Sequence, residues 1–155
     1  MSPAAAFKTG FAGPDDYTDI APGPLTQRSA IDLYLYANTI AAVLTDGATV
    51  KAWLERSATR FNQIDPAKAE AQPLINKKLP GYNFDVLQGA LDYTIDLSRP
   101  AGARIVSLRY RGEAVRPEQR FVVATNNYRA TDAGIAGLDQ AEVLFSGLAA
   151  NRDVV

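Results

Sequence analysis

Residues 91–97, LDYTIDL, alternate without a break between apolar and polar side chains. A period of two fits a pleated strand with one face buried and the other wet; on a helix it would scatter the apolar side chains around the axis. Its neighbours follow the same logic. Runs at 84–87, 104–110 and 121–125 are rich in β-branched and aromatic residues, and they are set apart by Gln88-Gly89, by residues 98–102 and by residues 112–117. Links this short favour antiparallel pairing. Residues 141–145 add a further strand, and 151–155 open another element, read as a helix. The stretch 49–62 has a different period: Val50, Trp53, Leu54, Ser57 and Phe61 recur at helical spacing, while Lys51, Glu55, Arg56 and Arg60 take the other side. Thr49 is its expected cap and Asp65-Pro66 ends the pattern. The expected fold is α+β, a mixed and largely antiparallel sheet with this helix packed on one face.

The first half is less regular. Residues 1–24 are rich in Ala, Gly and Pro and form a leading segment of the same domain, with 4–10 a short strand or turn. Residues 25–155 carry the rest, and 155 residues suit one domain with one core. Ser29 can cap a helix over 30–35, although Ile31, Leu33 and Leu35 alternate with Asp32 and Tyr34, so a strand competes there. An apolar run at 40–44 leads to Asp46-Gly47, which reads as a turn. Residues 65–82, with Pro66, Pro73 and Pro80, read as a polar connection.

Composition removes most hydrolytic chemistry. The chain has no Cys and no His, so it cannot build a thiolate or imidazole metal site, a Ser-His-Asp triad or a Cys nucleophile. Asp92 and Asp96 share the polar face of their strand, where solvation is the ordinary role and paired acid-base work the alternative. With 16 basic and 17 acidic residues the formal charge is −1, which gives no global attraction to a nucleic acid polymer or an anionic membrane. No window of about 18 apolar residues occurs, and no signal-peptide pattern opens the chain.

Two short stretches carry the binding candidates. In FVVATNNYRA, residues 121–130, a greasy strand delivers Asn126, Asn127 and Tyr128 at its tip; in LYLYANT, residues 33–39, Tyr36 and Asn38 form a second such tip. The simplest reading of the first is a strand ending in an Asn-rich turn. The functional reading is a surface where Tyr128 stacks on a planar ligand and Asn126 or Asn127 bonds its edge.

LYLYANT, WLERSATRFNQIDP, YNFDVLQGALDYTIDLSRP and RYRGEAVRPEQRFVVATNNYRA together, in this order, resemble the C-terminal domain of bacterial 5′-nucleotidase-type enzymes. The branch most resembled is the periplasmic 2′,3′-cyclic-nucleotide 2′-phosphodiesterase/3′-nucleotidase, over residues 5–152. The resemblance implies a division of labour. A separate N-terminal metallophosphoesterase domain would hold the divalent metal ions, and this chain would hold the nucleotide, with no cofactor of its own and no hydrolysis alone. Its partners would be nucleoside 3′-phosphates or 2′,3′-cyclic phosphates and that missing domain, in the periplasm; a nucleic acid polymer and a membrane are not expected. The sequence stops inside what resembles the family's last helix, so a fragment of a longer enzyme is expected.

Carried over by position, the resemblance makes Tyr36 and Tyr128 a pair of rings clamping the base, and Asn38 the amide at its edge. Asn62 and Gln63 match the cyclic-phosphodiesterase branch, where they would shape sugar or base specificity or merely cap the helix. Asp132 is the candidate ribose-binding acid in the 131–135 loop, which departs from the family's Gly-Gly pattern; Ala37 stands where the family often has Pro. Other readings are a 5′-nucleotidase-type domain, a non-catalytic nucleoside-binding module, and a structural domain with both tyrosines in the core.

Overall fold

A computed structural model describes residues 1–3, 8, 10, 12–132 and 134–153. In chain order the elements are β1 (Ser2–Pro3), α1 (Gln27–Leu33), β2 (Thr39–Asp46), α2 (Gly47–Ala58), β3 (Asp85–Val86), β4 (Leu91–Ile95), β5 (Ile105–Tyr110), β6 (Glu113–Ala114), β7 (Arg120–Asn126), the single-turn α3 (Asn127–Ala130) and β8 (Glu142–Ala150). Short 3₁₀ turns occur at Gly81–Asn83 and Asn151–Asp153. Strands join in the orders β7-β2-β8, β4-β5-β6 and β1-β3, and every described pair is antiparallel. The fold is α+β, as the alternating pattern requires. The expectation for 4–10 falls largely outside the described residues, as do Val154 and Val155.

The alternation at 91–97 becomes β4, with Leu91, Tyr93 and Ile95 half-buried and Asp92 and Thr94 exposed. Asp92 faces Arg109 across the ladder. Asp96 leaves the strand and accepts hydrogen bonds from the Ser98 hydroxyl and backbone N–H, at 2.6 and 3.0 Å. The Ser98 hydroxyl, ahead of the other contacts, holds the Asp96 carboxyl below the usual carboxylate range. A turn-capping carboxylate beside a solvated one is no catalytic dyad.

Several boundaries move, each for a local reason. The first helix is capped by Thr26, and Ser29 sits at the third helical position, where its hydroxyl returns the bond to the Thr26 backbone. This reciprocal capping decides against a strand. Asp46-Gly47 is no free turn: Asp46 accepts from the Thr49 N–H at 2.9 Å, so it, and not Thr49, caps α2. That bond is the leading reason why the Asp46 carboxyl lies below its ordinary value. The helix ends at Ala58 and not at 62, because the buried Arg104 guanidinium takes the carbonyls of Ala58 and Phe61 at 2.7 and 2.8 Å. Phe61 instead bridges to Ile75 and stacks edge-on with Phe84. Glu55, expected on the solvent side, is buried; its two carboxylate oxygens accept the N–H groups of Arg104 and Ile105 at 2.8 and 2.7 Å, tying α2 to the start of β5. The 84–87 run shortens to β3, and 141–145 lengthens to β8.

The core forms where α2 meets the sheets. Val50, Trp53 and Leu54 pack with Ala41 and Val43 of β2, Val123 of β7, Ile105 of β5, and Ile135 and Leu138 beyond α3. Burying each of the Val, Leu and Ile side chains contributes about 1.5–3 kcal/mol. Alternate residues Ala41, Val43 and Thr45 of β2 face this core. The other face of the same sheet, with Ile40, Val122 and Phe145, is exposed.

Pairing explains how the two tips meet. The register Ile40↔Asn126 sets the start of β2 beside the end of β7, and Thr39↔Ala150 brings the end of β8 to the same rim. Segments distant in sequence therefore converge at one edge of a single sheet.

Candidate functional site

At that rim Asn126 caps α3: its Oδ1 accepts the Arg129 N–H at 2.7 Å and its Nδ2 donates to the Tyr34 hydroxyl at 2.9 Å. The same hydroxyl receives the amides of Asn38 at 3.3 Å and Asn151 at 3.5 Å. One phenol thus gathers the ends of all three strands. Asn127 adds a second link between the tips, accepting the Thr39 N–H on its Oδ1 at 3.0 Å. Asn126 and Asn127 both spend hydrogen bonds on holding the rim together.

Tyr36, Asn38, Asn126, Tyr128 and Arg129 line a cavity of about 270 Å³ together with Tyr82 and Asn83 from the 3₁₀ turn. Its size lies near the lower end of small-molecule sites, roughly 300–1,000 Å³. Tyr36 is 50% exposed and Tyr128 64%, so neither ring is a core residue. Aromatic side chains left half in water at a concave rim are poised for a planar partner.

Beneath the cavity lies a buried ion pair. Arg129, 5% exposed, sets its Nε 3.0 Å from the Asp85 carboxylate, itself 2% exposed, and donates to the Tyr82 carbonyl at 2.8 Å. Asp85 also accepts the Trp53 indole N–H at 2.9 Å, while its backbone N–H donates to the Ser57 hydroxyl at 3.0 Å. The guanidinium carbon lies 5.5 Å from the centre of the Tyr128 ring. These contacts tie α2, the 3₁₀ turn and the tip at 126–128 together.

The structure thus brings Tyr36, Asn38, Asn126 and Tyr128 together, with Asn127 beside them. It engages Asn62, Gln63 and Asp132 elsewhere. Asn62 donates to the carbonyls of Pro73 and Ile75, and Gln63 to that of Ser98, stitching down the 62–76 connection. Asp132 pairs with Arg56 and lies 3.7 Å from Arg129. Tyr34, Tyr82, Asn83, Asp85 and Arg129 carry no individual signal in sequence, since their parts arise from contacts between distant segments. Among the described residues, no cluster of three or more His, Cys, Asp or Glu is placed to hold a metal ion, and no helix is long and apolar enough to cross a membrane.

Comparison with known proteins identifies the family. The family model described as "5′-nucleotidase, C-terminal domain" matches residues 4–138. The chain is 40% identical to a trifunctional nucleotide phosphoesterase of Bacillus subtilis, covering 100% of this chain and 12% of that protein. It is also 40% identical to a 2′,3′-cyclic-nucleotide 2′-phosphodiesterase/3′-nucleotidase of Yersinia enterocolitica, covering 100% of this chain and 26% of that one. The chain therefore spans about a quarter or less of these relatives. Among solved structures, a Staphylococcus aureus protein described as a 5′-nucleotidase, in complex with α-ketoglutarate, superposes with a TM-score of 0.69 at 29% identity, over 84% of this chain and 26% of that one. With the family model covering most of its length, this chain belongs to the 5′-nucleotidase C-terminal domain family.

Proposed function

We propose that this chain is the nucleotide-recognition domain of a metal-dependent 2′,3′-cyclic-nucleotide 2′-phosphodiesterase/3′-nucleotidase, clamping the base between Tyr36 and Tyr128. The observation that supports this most is the pair of half-exposed rings lining one cavity with Asn38. Stacking accepts any base, because every base has a π-face, and each ring contributes on the order of 1–3 kcal/mol. Asn38 supplies the edge contact: its Nδ2 is committed to Tyr34, which leaves Oδ1 as an acceptor for a base N–H. Divalent metal ions and water activation belong to a separate N-terminal metallophosphoesterase domain of the parent, located in the periplasm. Names of relatives at 40% identity favour the cyclic-phosphodiesterase branch. The likeness to a protein described as a 5′-nucleotidase keeps a 5′-nucleotidase-type parent as the second reading.

Titration with adenosine 3′-phosphate, followed by tyrosine fluorescence, tests the clamp. Saturable quenching is expected, with affinity falling by about 1–3 kcal/mol for each of Tyr36→Ala and Tyr128→Ala. Unchanged binding in the double variant would sink it.

A further inference from the structure

We propose that Asn83 is a specificity-determining residue of this site, reading the hydrogen-bonding edge of the base; the inference rests on the nucleoside clamp proposed above. Asn83 comes from neither aromatic tip, yet it lines the same cavity as Tyr36, Asn38 and Tyr128. Of the three cavity asparagines it alone keeps its whole amide available. Asn126 spends both ends, on the Arg129 N–H and on Tyr34, and Asn38 spends its Nδ2 on Tyr34. The half-buried side-chain amide of Asn83 hydrogen-bonds to no described residue. A polar group in the wall of a largely apolar cavity, with donor and acceptor both open, is placed to bond whatever fills that cavity.

Its backbone is held in place on both sides. The Asn83 N–H donates to the Pro80 carbonyl at 3.1 Å and the Phe84 N–H to that of Gly81 at 3.0 Å. Before it, the Tyr82 carbonyl is gripped by Arg129. After it, the Phe84 ring lies edge-on to Phe61 at 5.1 Å, and Asp85 is fixed by Trp53, Ser57 and Arg129. A turn so anchored loses little backbone freedom when a ligand engages its side chain, which favours selective contact.

The two amides differ in what they can read. Asn38 has one Nδ2 N–H held by Tyr34, so its Oδ1 is the end left wholly open to the base. Asn83 can present its carbonyl or its NH₂, so the bond it makes, and the strength of that bond, changes with the base edge that faces it. Replacing it by aspartate leaves acceptors alone, and only bases presenting an N–H there keep the contact.

The test measures dissociation constants of adenosine, guanosine, cytidine and uridine 3′-phosphates for the wild-type chain, Asn83→Ala and Asn83→Asp, with thermal midpoints recorded alongside. Asn83→Ala is expected to weaken binding about 2–10-fold, the range of one hydrogen bond, and unequally among the four bases. Asn83→Asp is expected to reorder them, retaining those with an N–H toward position 83 and losing the others. Equal losses for all four bases in both variants would overturn the assignment, as would unchanged affinities. A wild-type chain that binds none of the four would overturn the clamp and this inference with it. Normal wild-type binding with an indifferent Asn83 overturns this inference alone.

Discussion

Arg129 follows the exposed ring of Tyr128 directly, yet it is 5% exposed itself, and a guanidinium withdrawn from water must find acceptors for its N–H groups. Asp85 and the Tyr82 carbonyl supply them. Removing one member of such a buried pair strands the other charge, at about 3–5 kcal/mol. Urea unfolding of Asp85→Asn and of Arg129→Met should each show a loss of that order at unchanged m-value. The double variant should lose less than the sum, because the second substitution removes a charge already stranded. Strict additivity would mean that the two residues are not coupled. Neither residue is legible as a partner in the sequence: Asp85 stands in an apolar run and Arg129 in an Asn-rich tip, and only folding joins them. Tyr36, Tyr128 and Asn38 are legible because their segments match an ordered family pattern, whereas Tyr34, two residues earlier, reads only as one term of an alternation.

At the level of elements, the start of α2 shows a local signal overridden by tertiary contact. Asp46-Gly47 has the composition of a hairpin turn, but Asp46 caps the helix and Gly47 is its first residue. Glycine is required there by close approach: a Cβ on Gly47 would sit 2.2 Å from the Arg116 carbonyl oxygen and 2.7 Å from a Val115 methyl. The neighbouring Ala48 N–H donates to the Pro117 carbonyl at 2.9 Å, so the link between β6 and β7 is drawn tightly onto the helix end. Helix propensity alone makes Gly47→Ala stabilising by about 1 kcal/mol. We expect the opposite sign, a net loss of about 1–3 kcal/mol from overpacking against backbone, read as a lowered thermal midpoint. A raised midpoint would show that residues 115–117 yield. The elements themselves were readable because their periods are local, as at β4. The shortened end of α2 was not, since the Arg104 side chain that donates to the Ala58 and Phe61 carbonyls comes from far along the chain.

On the scale of the molecule, pairing of β2 with both β7 and β8 converts a list of strands into a site, because all three place one end at the same rim. No sequence period encodes that partnership; it follows from which faces must be buried together. A ligand bound at such a rim contacts segments from both halves of the chain, so binding and global stability are linked. At a nucleotide concentration about 100-fold above its dissociation constant, linkage adds roughly 2.7 kcal/mol, which for a domain of this size corresponds to a rise of about 5–11 °C in thermal midpoint. Adenosine 3′-phosphate should produce that rise in the wild-type chain and release no inorganic phosphate from it. At the same concentration the Tyr36→Ala, Tyr128→Ala double variant, its affinity reduced by the loss of both stacking contacts, should show little or none. An equal rise in both proteins would place the nucleotide away from this rim, and phosphate release that persists in metal-free buffer would assign chemistry to a chain here given only recognition.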